Sequence, residues 1–394
     1  MRPLARAGET RTVHLVDATL FYSPTSGGVK RYLAAKHAWL AAHTAWEHTI
    51  VVPGRDTHFE RGGVCTLSGY PVPGTFNYRL PLNPRRWTRL LDGLEPTLIE
   101  AGDVFHPAWA GWLVARRRGI PLVGFYHSNL PQLARRRTCG WFTEPLLRRY
   151  VRLLYDRCDL VFAPSRLMCK YLQSLGVTQV VHQPLGVDTE VFNPTRRSDG
   201  LRASLGLPAQ ARVLLYAGRF AEEKNLPVLL KAFARLGAPY HLLLIGGARR
   251  ARPAANVTML PYRRDSHELA RWIASADALV HAGTKETFGL VILEAMACGR
   301  PVVAARAGAF PEFVDETVGV LAEPHSAAGM ADAIAALYER DIAAVGAAAR
   351  ARVLRHFTWS RAFHSQLAAY ASLLGTQRLP LPDAPILELR SGSS

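Results

Sequence analysis

The fold class this sequence predicts is α/β: two doubly wound domains, each a parallel sheet covered by helices. Three observations carry the prediction. Apolar runs of four to six residues alternate with stretches of helical periodicity along most of the chain, which is the pattern of successive βαβ units. The chain has 394 residues, and at ~150 residues per domain two domains are the simpler division. Its hydrophobic content of 49% and charged content of 20% describe a globular protein without the low apolar content of disorder.

The first unit reads TVHLVDATLF as a strand, SPTSGG as a turn, a helix over 29–42 and HTIVVPG as the second strand. Gly27 and Gly28 let the backbone approach a ligand, and the helix that follows would turn its amino end towards it. Residues 59–97 are rich in Gly, Pro and Arg and read as a short strand, turns and a helix near 86–94, without chemistry of their own. In GDVFHPAWAGWLVARRRGIPLVGFYHSNL two strands flank a helix, and a histidine follows each strand, His106 and His127. Strand carboxyl ends are where open parallel sheets bind ligands. A lone histidine is more often a hydrogen-bonded core residue, and that is the expectation for His106. A helix over 148–157, the strand DLVFAPS and a helix over 166–175 stopping at Gly176 complete this half.

The polar stretch TRRSDG after Val191-Phe192-Asn193-Pro194 marks the domain boundary, giving 1–193 and 194–357 as the two domains. The second opens with the strand RVLLYAG, then Arg219, Lys224 and a helix over 226–236. Two cations in a loop between strand and helix are placed to clamp a diphosphate, Arg as a fork and Lys as a point charge; elsewhere they would read as two surface charges. HLLLIGGA, VTML and ALVHAG read as strands, with a helix between the last two. PVVAARAG and FPEFVDETVGVLAEP follow, then helices over 327–338 and through 352, and a last helix in HFTWSRAFHSQLAAYASLL. The tail 377–394 is expected to be loose.

The densest chemistry lies in HAGTKETFGLVILEAMACGRPVVAA, where Glu286 and Glu294 stand with seven residues between them. Gly289 suits a helix start, and Leu290, Leu293, Glu294 and Ala297 follow at helical spacing. The amides of Phe288, Gly289 and Leu290 would then lack intrahelical partners and suit a phosphate lying between the two carboxylates. A nucleoside-diphosphate sugar has that shape, hydroxyls at both ends and phosphates in the middle, and its hydroxyls gain charge-assisted hydrogen bonds from carboxylates. The plainer reading makes Glu286 a helix cap and Glu294 a solvated charge. Against it, Glu294 sits among Leu293, Ala295, Met296 and Ala297, where a carboxylate is costly without a partner.

This stretch resembles the signature of the retaining GT-B glycosyltransferases of family four, two glutamates with seven residues between them and the Phe288-Gly289 pair in register. The loop AGRFAEEKN matches the same family, and LGVDTEVFNP resembles its interdomain link. Many members have Pro-Ser before the first glutamate, where this chain has Ala282-Gly283. The resemblance implies a GT-B fold, two Rossmann-like domains facing across a cleft, with the last helix, about 358–376, crossing back onto the first. It implies Glu286 on the donor sugar, Glu294 on the ribose, the Phe288 to Leu290 amides with Arg219 and Lys224 on the diphosphate, and the Gly27-Gly28 loop approaching it. It also implies His127 near the reacting sugar and the loop 262–264 beside the nucleobase. The reaction implied is transfer of a sugar from a UDP- or GDP-linked donor with retention, the leaving phosphate helping to take the acceptor's proton. No Asp-x-Asp pair occurs, so no metal or other cofactor is required by this reading.

Five cysteines, Cys65, Cys139, Cys158, Cys169 and Cys298, are scattered without a C-x-x-C pair, which points to reduced thiols and away from a zinc site. No G-x-G-x-x-G or GxxxxGK[ST] motif occurs. The start has no signal-peptide pattern and no apolar run approaches the ~18 residues of a membrane span. A cytoplasmic location is therefore expected, with peripheral attachment to the inner face of the plasma membrane. The formal charge is +17, and arginines cluster at Arg116, Arg117 and Arg118, at Arg135, Arg136 and Arg137, and over 148–152. Nucleic acid, anionic lipid and an ordinary solvated face compete as explanations. Neighbouring aromatics and the lack of an RNP-like or helix-turn-helix pattern favour the membrane surface as partner, with a glycan or glycolipid acceptor and no nucleic acid. An enzyme of the same fold acting on soluble sugars, and a basic binding protein without turnover, are the alternatives.

Overall fold

The computed structural model describes residues 12–22, 27–72, 78–129, 131, 140–247 and 254–375. Its strands form two parallel sheets and one short antiparallel pair, Tyr70–Pro71 with Arg79–Leu80. In the first, β1 (His14–Ala18), β2 (Glu47–Gly54), β3 (Val64–Ser68), β4 (Leu98–Ala101), β5 (Leu122–Phe125), β6 (Leu160–Ala163) and β7 (Val180–His182) lie in the order β3-β2-β1-β4-β5-β6-β7. In the second, β8 (Arg212–Ala217), β9 (Tyr240–Ile245), β10 (Val257–Leu260), β11 (Ala278–His281), β12 (Val302–Ala305) and β13 (Gly319–Ala322) lie in the order β10-β9-β8-β11-β12-β13. Strand order reverses beside β1 in one sheet and beside β8 in the other. Crevices at the strands' carboxyl ends open at those two points.

Helices cover both sheets: α1 (Gly28–His43), α2 (Pro84–Gly93), α3 (His106–Arg118), α4 (Gly140–Tyr155) and α5 (Arg166–Ser174) in the first half. In the second half come α6 (Leu226–Leu236), α7 (Ser266–Ser275), α8 (Leu290–Ala297), α9 (Ala327–Tyr338), α10 (Ile342–His356) and α11 (Trp359–Leu374). Local chemistry sets their ends. Asn83, Ser165, Asp265, Ser326, Asp341 and Thr358 each accept a first-turn amide, while Gly119 and Gly375 end helices in the left-handed region. One expected boundary is corrected: the helix placed over 148–157 begins eight residues earlier, at Gly140. It runs through Pro145, which removes one backbone donor without ending it.

The last helix returns to the first sheet's helices. Gln366 and Tyr370 of α11 enter a buried polar cluster with Asp17, Tyr32, Lys36 and Glu100. Lys36 is 1% exposed and donates to Asp17 at 2.9 Å and to the Tyr370 hydroxyl at 2.9 Å, with Glu100 at 3.1 Å. Such a cluster holds only when its members are mutually satisfied, so it ties α11 to α1 and β1. Burial drives the Glu100 carboxyl up to about 7 while Lys36 pulls it back, and Asp17, beside both Lys36 and His48, is held down at about 2 against the effect of its own burial. Nothing in the sequence reading anticipated this group.

Candidate functional site

A cleft of about 460 Å³ opens at the carboxyl ends of both sheets and is lined from both halves of the chain. From the first come Gly27, Gly28, Arg31 and His127; from the second come Arg219, Lys224, Glu286, Glu294 and the segment Phe288 to Leu290. Loops after β1, β5, β8 and β11 thus bring together residues spread over 268 positions, 27 to 294.

Glu286 follows β11 and accepts a hydrogen bond from the ammonium of Lys224, which follows β8. Both are largely buried, 15% and 16% exposed. Burial alone would raise the Glu286 carboxyl, but Lys224 and His281 outweigh it and hold the group below the usual carboxylate range. His281, at the end of β11, was not singled out from the sequence. Its Nδ1 accepts the Gly283 amide at 3.0 Å, which leaves the proton on Nε2, 3.5 Å from Glu286. Burial lowers this imidazole to about 4. The Ala282-Gly283 pair is thereby explained: a Cβ at Gly283 would stand 2.6 Å from the His281 ring. Asn225 ties the two loops together by donating to the Ala282 carbonyl at 3.0 Å and to the Thr284 hydroxyl at 3.3 Å.

Between the carboxylates, α8 begins at Leu290 with Gly289 at φ 92°. That conformation suits glycine, and the ring of Phe310 would in any case stand 2.7 Å from a Cβ there. No side chain caps this end, and residues 288–290 line the cleft. Across it, a Cβ on Gly28 would touch Leu290 at 3.6 Å and one on Gly27 would meet nothing. Arg219 lies 3.6 Å from Glu223, at the mouth of the same loop as Lys224.

Glu294, 3% exposed, accepts from the guanidinium of Arg31 on α1. Among its apolar neighbours this carboxylate needs a partner, and Arg31, distant in the sequence, supplies it. The Glu294 carboxylate raises the Arg31 guanidinium, which also lies over the Phe192 ring at 5.8 Å. The residue pair spans the two halves of the chain, 263 positions apart. A second bridge runs from the Thr287 hydroxyl to the His127 carbonyl at 3.0 Å.

His127 stacks on Phe125 with ring centroids 4.0 Å apart, and burial lowers it to about 3. Its Nε2 is buried with no hydrogen-bond partner among the described residues, an unmet polar atom beside the cleft. His106 departs from the expected hydrogen-bonded core role. It starts α3, half-buried, and its Nδ1 likewise lacks a partner among the described residues. Tyr262 and Arg263 line the cleft on the side of α7, with Arg263 paired to Glu268 at 3.2 Å.

The basic clusters lie elsewhere. Arg117 and Arg118 end α3 and pair with Asp92 of α2 at 3.2 and 2.6 Å, while Arg116 lies over Trp112 at 5.7 Å. Two of these three arginines therefore hold helices together as well as carrying surface charge. Arg135, Arg136 and Arg137, Cys139 and the tail 377–394 lie outside the described residues. The other four cysteines are free thiols, and among the described residues no group of His, Cys, Asp or Glu could hold a metal ion. No described helix is long and apolar enough to cross a membrane.

Residues 211–340 match the family model described as Glycosyl transferases group 1, and residues 26–191 match the one described as Glycosyltransferase Family 4. The chain is 31% identical over 384 residues to the GDP-mannose-dependent alpha-(1-6)-phosphatidylinositol dimannoside mannosyltransferase of Mycobacterium tuberculosis, an alignment covering 93% of this chain and 98% of that protein. It is 34% identical over 310 residues to the D-inositol 3-phosphate glycosyltransferase of Xylanimonas cellulosilytica, covering 71% and 73% of the two. Among solved structures, sucrose-phosphate synthase from Thermosynechococcus elongatus matches with a TM-score of 0.77 at 22% identity, covering 92% of this chain and 99% of that one. HepE of Anabaena, in complex with UDP and glucose, matches with a TM-score of 0.73 at 20% identity over 91% and 100%.

Proposed function

We propose that this chain, which belongs to glycosyltransferase family 4 and is a GT-B glycosyltransferase using a nucleotide-sugar donor, moves a mannosyl or related hexosyl group from a GDP-linked donor to a glycolipid hydroxyl. Transfer proceeds with retention, at the cytoplasmic membrane face. The observation that carries the donor-site reading is the uncapped start of α8 between two buried carboxylates, with Arg219 and Lys224 lining the same cleft. A diphosphate seated there meets backbone amides and two cations where negative charge grows as the sugar departs, and such preorganised donors lower the barrier. Glu286, already ionised beside Lys224, accepts from sugar hydroxyls, and Glu294 accepts from the ribose once it shares its carboxylate with Arg31 or releases it. The neutral His127 offers Nε2 to the reacting sugar. The leaving phosphate takes the acceptor's proton on the same face, so the two cations carry the charge and the reading routes no step through a metal.

The guanosine-linked donor and lipid acceptor are supported by the mycobacterial relative, which aligns over nearly its whole length and is named for GDP-mannose and a phosphatidylinositol dimannoside. A formal charge of +17 and the exposed Leu113, Leu146 and Leu153, on helices that also carry Arg116, Arg149 and Arg152, suit an anionic membrane surface. The test is a thermal shift with GDP, UDP and ADP. A ligand at about 100 times its Kd stabilises the folded state by ~2.7 kcal/mol. The expected result is stabilisation by GDP, blunted in Glu294→Ala and Lys224→Ala. Stabilisation by UDP or ADP alone overturns the guanosine assignment, and no stabilisation by any of the three overturns the donor site.

A further inference from the structure

A further contact joins the two halves of the chain, outside the cleft. The Glu312 carboxylate accepts the backbone amides of Arg166 and Leu167, each at 2.8 Å, at the start of α5. Ser165 takes the next amide in that turn, that of Met168, at 3.3 Å. The first turn of a helix on the first sheet is thus completed by a carboxylate from the second. Helix amino ends carry partial positive charge and unpaired donors, so an ionised carboxylate is the partner they bind best.

Glu312 sits in the 3-10 turn Phe310–Glu312, and that turn is braced against the donor site. The Ala309 amide donates to the Glu286 carbonyl at 3.0 Å. Gly308 has φ 59° and presses so closely that its Cβ would stand 2.8 Å from the same carbonyl oxygen. The Phe310 ring packs edge-on against His281 at 4.9 Å and fills the space beside Gly289. One short loop therefore touches the backbone of Glu286, the ring that orients towards it and the glycine that starts α8, and then reaches across to the other domain. Arg31–Glu294 and Thr287–His127 also bridge the halves, but Arg31, Glu294, Thr287 and His127 all line the cleft, where a donor competes for them. Glu312, Arg166 and Leu167 do not line it.

We propose that Glu312 is a positioning residue for transfer: by clasping the amino end of α5 it sets the spacing between the domains, from the loop that supports Glu286. The clasp survives donor binding because the donor does not reach it, so it holds the first-domain side of the cleft in register with the sugar while the inner bridges exchange partners. Its kinetic consequence rests on the transferase reading above; its effect on domain spacing does not.

The experiment compares wild type with Glu312→Ala, Glu312→Gln and Arg166→Pro. The last deletes one of the two amide hydrogens at the first helical position, where proline is compatible with the helix. Small-angle scattering of the ligand-free proteins is expected to give a larger radius of gyration for Glu312→Ala and Arg166→Pro, with Glu312→Gln, which keeps one acceptor oxygen, between them and wild type. With GDP-mannose as donor, Glu312→Ala is expected to lose on the order of tenfold or more in kcat, since a misplacement of about 1 Å costs up to ~100-fold, while GDP affinity stays within about threefold. The proposal is overturned if Glu312→Ala and Arg166→Pro keep the wild-type radius. It is equally overturned if kcat falls without opening and Glu312→Gln restores none of it, which is the signature of a local helix cap. If GDP fails to bind the wild type, the donor reading fails and the scattering comparison still decides the clasp.

Discussion

Replacing Lys224 by Met would keep the side-chain volume and remove the charge that holds Glu286 ionised. A fully buried pair broken on one side costs about 3–5 kcal/mol and an exposed one about 0–1 kcal/mol. With both partners about 15% exposed, the expected loss is ~2–3 kcal/mol, which for a domain of this size lowers Tm by about 5–10 °C. The dependence on pH gives the sharper test. In the wild type the Glu286 carboxyl lies below its ordinary value of 4.5, so its contribution to stability is present above that value and is lost as pH falls through the lowered one. In Lys224→Met burial, already the largest single influence, loses its main opponent and the carboxyl rises above its ordinary value. Its ionised form then destabilises the fold at neutral pH, and the penalty fades as the group takes a proton on acidification. His281, which can protonate 3.5 Å away, acts in the same sense. Thermal unfolding at pH 7.5 and pH 5 should therefore show a deficit that shrinks at the lower pH. A shift under about 1 °C at both, or a deficit that grows towards acid, would refute the view that this pair is a buried, mutually dependent unit.

In Glu294→Ala the buried Arg31 pair is lost, yet Arg31 is 26% exposed and can hydrate; Tm in the absence of ligand should fall by less than in Lys224→Met, while stabilisation by GDP is blunted. His127 stays neutral across pH 5–8 because burial holds it at about 3. A pH–rate profile between 5 and 8 should show no inflection that His127→Gln removes, and the variant should resist acid better, since a depressed imidazole loses stability as pH falls from 6.5 towards 3. Lys36→Met leaves Asp17 and Glu100 buried without their cation, at about 3–5 kcal/mol; limited proteolysis should then release α11 before either sheet unfolds. Arg116→Ser combined with Arg149→Ser should weaken sedimentation with phosphatidylserine vesicles by about 1 kcal/mol per charge, and more weakly at high salt. Unaltered binding of that variant would assign the basic surface to solvation.

Most strands and helices were legible because each carries its own local signal, although Val180–His182 was not read as a strand and the strand before His106 lies at Leu98–Ala101 rather than in the DVF segment. Alternating apolar runs, Asn83, Ser165 and Ser326 at helix starts, and Gly176 after α5 act through neighbours a few residues away. The start of α4 was missed because Pro145 lies inside it and the first turns offer no N-terminal signal in the sequence. The polar cluster around Lys36 was illegible for a different reason. Its members come from β1, α1, β4 and α11 over 354 positions, 17 to 370, and each looks locally like a surface charge or a core aromatic.

The class of the molecule and the residues proposed for the donor side are readable from the sequence alone. Glu286, the amides from Phe288 to Leu290 and Glu294 lie in one continuous stretch, so their mutual spacing is a property of a turn and a helix. Arg219 and Lys224 announce themselves by following a strand. What each charge faces is set by the packing of the two halves: Arg31 on Glu294, His281 and Lys224 on Glu286, Asp92 on two of the arginines, and Glu312 on the amino end of α5. A buried charge states in the sequence only that a partner must exist. Which residue meets that need depends on how two sheets and their crossover loops converge at the same crevice, and no local pattern records it.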